Sequence, residues 1–210
     1  MALERRPDGE LIVVTGASRS GKTQWTVRRV RSARRLLVWD SMGEWGDRFG
    51  CRRVATFAEL RECVKPGARA ERLAFYQPGM AQHFDVFCSL SWVWIRAARG
   101  ALVIEELSSV TSPGKAPRMW GEICRAGLRY GPDIIAITQR PAESDKTCIG
   151  NATLLHCHQM VREADEAYMA RELRVPVAQL SRLRPLDWLE RDRRTHQVRG
   201  GKITFPRRAA

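Results

Sequence analysis

The sequence predicts an α/β fold, a mostly parallel sheet covered by helices on both faces, and three observations carry that reading. Apolar runs of strand length alternate with stretches of helical periodicity along the chain. Some of the runs, Leu36-Leu-Val-Trp39 among them, are continuously apolar rather than alternating, as a strand buried on both faces requires. The third is the segment Gly16-Ala17-Ser18-Arg19-Ser20-Gly21-Lys22-Thr23, which meets G-x-x-x-x-G-K-[ST] at every fixed position between a strand and a helix.

That segment is a phosphate-binding loop, or Walker A. Its two glycines let consecutive backbone N–H groups converge on phosphates, Lys22 can reach the β and γ phosphates, and the Thr23 hydroxyl can ligate Mg²⁺. The flanking strand and helix argue against a chance Gly-Lys turn. The expected contacts to ATP span residues 16–24, which adds Gln24 to the set.

Along the chain, a strand at 11–15 leads into the loop, and a helix at 22–33 leaves it, bearing Arg28, Arg29 and Arg31. A second strand at 35–40 runs into the turn-rich Ser41-Met-Gly-Glu-Trp-Gly46. Residues 57–64 read as a short helix, and 72–77 as a third strand closed by Pro78-Gly79. A largely apolar helix at 82–99 stops at Gly100, and a strand at 101–107 ends in two carboxylates. The loop at 108–117 is rich in Ser, Gly, Pro and Lys, a mobile composition. Then come a helix at 118–129, a buried strand at 133–138, a strand at 153–159 and a polar helix at 162–173. A terminal β-hairpin is expected at 186–205, with Gly200-Gly201 suited to its tight turn. The 210 residues suffice for a single domain over 1–210, its core at about 10–160 and its C-terminal helix and hairpin at 161–210.

Charge narrows the partners. Thirty-six Lys and Arg against 23 acidic residues leave a formal charge of +13, more than an enzyme of small metabolites needs. A polyanion is favoured, with nucleic acid first because released counterions drive its binding, and membrane headgroups or plain solubility as alternatives. The basic residues are scattered: Arg28, Arg29, Arg31, Arg34 and Arg35; Arg52 and Arg53; Arg96 and Arg99; Lys115 and Arg118; Arg182 and Arg184; Arg191, Arg193 and Arg194; Arg207 and Arg208. Lys115 and Arg118 come first as DNA contacts, because their loop follows the acidic strand, and the 191–194 group comes second.

The six cysteines form no C-x-x-C pair and read as reduced, mostly buried thiols. In His156-Cys157-His158, alternation sends the two histidines to one face and the thiol to the other, which argues against one metal site. The seven tryptophans mostly lie in apolar runs and read as core rather than as stacking platforms. The charged residues 1–10 lack the apolar stretch of a secretory signal, and the longest apolar candidate, 84–95, is too short to span a bilayer. The expected location is therefore cytosolic, with no membrane segment.

Ala101-Leu-Val-Ile-Glu105-Glu106 has the form of a Walker B strand, which carries acids through the sheet to the phosphate loop. One carboxylate, Glu105, would hold Mg²⁺, and the other, Glu106, would orient or deprotonate the attacking water. Glu stands where Asp is usual, so which acid does which job stays open, and solvated strand-end charges are the plain alternative. Ile134-Ile-Ala-Ile-Thr138-Gln139-Arg140-Pro141 puts an amide, Gln139, at a strand tip where it can sense the γ-phosphate, unless it is only a cap.

These motifs occur in an order that resembles the HerA/FtsK superfamily of DNA-pumping ATPases. They are Walker A, the strand into Asp40-Ser-Met-Gly43-Glu44-Trp-Gly, Glu105-Glu106, Arg125-Ala-Gly-Leu-Arg129-Tyr-Gly131, and Thr138-Gln139-Arg140-Pro141, together covering roughly residues 10–160. The small size resembles the genome-packaging ATPases of membrane-containing icosahedral viruses, the tectivirus type. The resemblance implies a RecA-like core that hydrolyses ATP at the subunit interfaces of a ring, hexameric in that family. Double-stranded DNA would thread the channel, a capsid vertex or portal would be a partner, and the host cytoplasm or virion would be the location. It also implies an arginine acting on a neighbouring subunit's site, with Arg129 the best match and Arg125 the reserve. Two other classes stay open: a small P-loop kinase, and an assembly ATPase of the filamentous-phage zonula-occludens-toxin type.

Overall fold

The structure, a computed structural model, describes residues 8–205, so the basic pair Arg207 and Arg208 and the N-terminal residues 1–7 lie outside the described residues. Among the described residues nine strands form one sheet in the order β3-β4-β2-β5-β6-β1-β7-β8-β9. The strands are β1 (Glu10–Thr15), β2 (Leu36–Trp39), β3 (Arg52–Val54), β4 (Arg72–Phe75), β5 (Ala101–Ile104), β6 (Asp133–Thr138), β7 (Leu154–His158), β8 (Asp187–Asp192) and β9 (Val198–Lys202). The first seven pair in parallel, and β8 and β9 add an antiparallel hairpin at one edge. This is the mostly parallel, helix-flanked sheet that the sequence predicts.

Among the described residues eight α-helices join the strands: α1 (Lys22–Arg29), α2 (Trp45–Phe49), α3 (Phe57–Val64), α4 (Phe84–Ala97), α5 (Arg118–Ala126), α6 (Lys146–Asn151), α7 (Glu163–Leu173) and α8 (Val177–Ser181). Both faces of the sheet are buried. Leu11 and Val13 of β1 pack into one core with residues of α3 to α7, while Ile12 and Val14 pack into a second core with Val30, Trp45 and Ile135. In α4 the buried Phe84, Phe87, Cys88, Ser91, Trp94 and Ile95 recur at three- and four-residue spacing, the mark of one helical face. Trp39 receives the rings of Phe84 and Phe87 at 5.2 and 5.0 Å, edge-on; burying one such phenylalanine is worth about 2 kcal/mol.

Several boundaries differ from the sequence reading, each for a local reason. Helix α1 ends at Arg29 rather than 33, and the carbonyls of Val30 and Ala33 accept from Arg72 at 3.0 and 2.8 Å instead of continuing the helix. The helix expected at 82–99 is a 3₁₀ turn, Met80–His83, followed by α4. Helices α2, α6 and α8 and strand β3 were not legible, being six residues or shorter. The hairpin is present, but Gly200-Gly201 is not its turn. The chain reverses at residues 193–197, where His196 has φ 62, and the glycines lie within β9. A Cβ on Gly201 would meet the Trp188 ring at 2.5 Å, so its smallness serves cross-strand packing.

Candidate functional site

Strand order assembles the site. β6 lies between β1 and β5 in parallel register, Thr15 opposite Thr138 and Ala136 opposite Ile104. The phosphate loop, Gln139 and the two glutamates therefore leave the same edge of three neighbouring strands, within roughly 10 Å across the sheet at strand spacing.

The loop is a tight backbone cradle. Gly16 and Gly21 have φ of 146 and 123, and a Cβ on either would come within 3 Å of a neighbour: His158 Cβ and Ser20 Oγ for Gly16, His158 Cε1 for Gly21. Only glycine fits there. Lys22 is buried and donates from Nζ to the carbonyl of Ala17 at 2.7 Å, closing the loop on itself. Burial lowers the Lys22 pKa, and the charges of Glu106 and Glu105 oppose that shift. Ser20 is buried and Thr23 and Gln24 half-buried, while Ser18 and Arg19 are exposed and Ala17 is intermediate.

β5 stops at Ile104, so both acids follow the strand rather than end it. Glu105 is 8% exposed, its backbone N–H held by the Trp39 carbonyl at 3.2 Å. Burial, with the charges of Asp40, Glu106 and Glu44 adding to it, raises the Glu105 pKa to about 7. The Trp45 indole faces the carboxyl and pulls its pKa down, but the pair falls short of hydrogen-bond geometry, so Trp45 Nε1 and Glu105 Oε2 are both without a partner. Glu106 takes left-handed backbone (φ 49), an uncommon conformation for a non-glycine residue, and Gln139 Nε2 donates to its Oε1 at 2.7 Å. The amide and the second acid thus form one unit, a bond the sequence did not reveal.

The donors fit a magnesium–triphosphate. Glu105 Oε2 is a buried carboxylate oxygen with no partner, and oxygen is the donor a hard cation takes.

Other candidates resolve differently. Both oxygens of Asp40 are occupied, accepting from the N–H groups of Glu44 and Trp45 at 3.0 and 2.9 Å, so it secures the entry to α2. Arg129 is exposed, in a 3₁₀ turn (Gly127–Tyr130) before β6, and donates from Nε to the Ala126 carbonyl at 2.9 Å. The six residues of β6 separate it from Gln139, about 20 Å of strand, so this chain's own loop is out of its reach. Arg125 lies near Glu122 at 3.7 Å. Lys115 and Arg118 are exposed, Arg118 opening α5. Arg191 and Arg193 of the second basic group are largely committed to the carbonyls of Glu172 and Ile149, both at 2.7 Å.

His156 and His158 share a face as alternation requires, and both are fully buried. Their Nε2 atoms lie 3.2 Å apart, and their Nδ1 atoms meet Glu190 Oε2 at 2.8 Å and the Asp187 carbonyl at 3.0 Å. Burial, and after it the neighbouring His156, lowers the His158 pKa to about 3, so it is neutral beneath the loop. The sequence also missed Arg140 and Arg162. They line an opening of about 240 Å³ beside Ala17, Ser18 and Gln139, and both pair with Glu143, at 2.9 and 2.8 Å.

No family model matches the chain. Protein P9 of Pseudoalteromonas phage PM2 is 31% identical over 148 residues, which cover 69% of this chain and 66% of that protein, just under two thirds of its length. Among solved structures, the chain resembles the genome packaging NTPase B204 from Sulfolobus turreted icosahedral virus 2 in complex with AMPPCP. The TM-score is 0.78 at 14% identity, covering 95% of this chain and 100% of that one. VirB4 of Thermoanaerobacter pseudethanolicus gives 0.67 at 10% identity, covering 93% and 89%. At such identities the likeness to the solved structures is one of fold.

Proposed function

We propose that this chain, by fold a member of the HerA/FtsK class of P-loop NTPases, hydrolyses ATP with Mg²⁺ and uses the cycle to move DNA, in the packaging of a viral genome. The observation that carries the reading is the Gln139–Glu106 bond at the tip of the strand between the phosphate loop and Glu105. Lys22 and the backbone of residues 16–24 hold the triphosphate, while Thr23 and Glu105 hold the cation. The Mg²⁺ they would hold would supply positive charge against the phosphate oxygens. Glu106 takes the proton of the attacking water, and Gln139 holds that carboxylate in place and reads the γ-phosphate.

Arg129 lies a strand length from its own loop, which supports a role at the site of a neighbouring copy in a ring of single-domain subunits, hexameric by the family resemblance. The charge of +13 supports a polyanionic track, with Lys115 and Arg118 as backbone contacts that position DNA without reading sequence. The packaging NTPase likeness extends the reading to a capsid vertex or portal as partner, in an infected cell's cytoplasm or the virion. No helix among the described residues is long and apolar enough to cross a membrane.

The test is ATPase rate against protein concentration, with and without duplex DNA. The expected rate rises faster than linearly and is stimulated by DNA, and Glu106→Gln binds nucleotide but turns over at least about a hundredfold more slowly. A rate linear in concentration and indifferent to DNA would defeat the reading, and transfer of the γ-phosphate to a small acceptor would replace it with a kinase.

A further inference from the structure

Two basic runs, far apart in sequence, meet in the fold. The chain leaving α1 through residues 30–35 and the turn after α4 at residues 98–100 run along the starting ends of β2, β5 and β6. Between them opens a cavity of about 450 Å³, lined by Arg29, Arg34, Arg35 and Arg99, with Asp133 the one acid among its lining residues. It lies at the end of the strands away from the nucleotide loop: Asp133 starts β6 and Gln139 follows its far end, about 20 Å on.

The arginines divide by what they hold. Arg35 is a structural member. Its guanidinium donates to the carbonyls of Ala98 and Trp94 at 2.5 and 2.6 Å and lies 3.8 Å from the centre of the Trp94 ring, tying off the end of α4. Arg29 pairs with Glu10. Arg34 and Arg99 are exposed and make no hydrogen bond or ion pair among the described residues. Two guanidiniums with no partner among the described residues therefore line one basic cavity walled by small residues such as Gly100 and Ala101.

We infer that this cavity binds the phosphodiester backbone of DNA, a second contact at the opposite end of the strands from Lys115 and Arg118. The inference rests on the reading of the chain as a DNA-moving ATPase. A guanidinium offers a planar fork of donors that matches two phosphate oxygens. The volume is several times that of one phosphate group and the cavity is open, which suits a chain laid across it rather than a small anion enclosed. Guanidiniums set on phosphate oxygens position DNA without reading its sequence.

The experiment measures binding of the full chain to a fluorescent duplex of arbitrary sequence as salt is varied, with a fluorescent ATP analogue as a separate readout. Arg34→Gln/Arg99→Gln should weaken duplex binding and lower the slope of log affinity against log salt by about 2, one for each phosphate that is no longer neutralised. Its melting temperature and nucleotide affinity should equal those of the wild type, because neither side chain holds the fold. An unchanged slope, with the wild type still binding duplex, would overturn the cavity and leave the packaging reading standing. A wild type that binds no duplex would overturn both. Displacement of the duplex by inorganic phosphate as effectively as by unlabelled duplex would reassign the cavity to a small oxyanion and overturn the inference.

Discussion

Single residues at this site are tuned by what the fold buries them against. His158 shows the sign. Its pKa in the folded chain is about 3, held down first by burial, whereas an unfolded histidine takes a proton near 6.5. Below 6.5 the unfolded state therefore binds more protons, so this contribution to stability is complete above that pH and is lost as pH falls. By pH 5 the loss is about 2 kcal/mol, and thermal unfolding in a pH series should show it. His158→Asn, which can still donate to the Asp187 carbonyl, should flatten the curve between pH 7 and 5; parallel curves would mean the proton is taken up elsewhere. Alternation was enough to place His156 and His158 on one face. What they face was not legible, because Glu190 arrives from 34 residues away.

Among the helices and strands, caps and close packing decide what periodicity leaves open. Helix α3 begins where Thr56 Oγ1 accepts from the Glu59 N–H at 3.1 Å, and the sequence reading placed it at the same residues. Helix α6, six residues long, is held instead by Asp145, whose Oδ1 accepts from the Cys148 N–H at 2.8 Å and whose Oδ2 accepts from the Trp120 indole at 2.9 Å. One carboxylate thus caps α6 and ties it to α5. Asp145→Ala would leave two buried donors unmet and should cost about 2–4 kcal/mol in urea denaturation, with Asp145→Asn recovering part of it. A loss under about 1 kcal/mol would show that water satisfies both donors. The misplaced hairpin turn has the same lesson: Gly200-Gly201 looked like a turn pair, but the Trp188 ring opposite is what demands a glycine at 201.

For the molecule as a whole, the decisive fact is that β6 separates β1 from β5. That order puts Gln139 against Glu106 and at the same time leaves Arg129 at the wrong end of its strand for its own loop. The proposed sharing between copies has a direct test. Arg129→Ala and Lys22→Ala should each hydrolyse ATP on the order of a thousandfold more slowly alone, and mixing them should restore a measurable fraction of the activity. In the mixture some interfaces unite an intact loop with an intact arginine. No recovery on mixing would remove Arg129 from the site.

Sequence alone sufficed for the alternation of strands and helices, the phosphate loop, the acidic doublet and the amide at a strand tip. All of these are written in neighbours a few residues apart, through periodicity, glycine spacing and turn chemistry. Which strands adjoin emerged only in three dimensions, and with that the Gln139–Glu106 bond, the burial that lifts Glu105, and the meeting of Arg34 with Arg99. Strand order is chosen by covering both faces of the sheet at once, a condition on the whole chain that no local window contains.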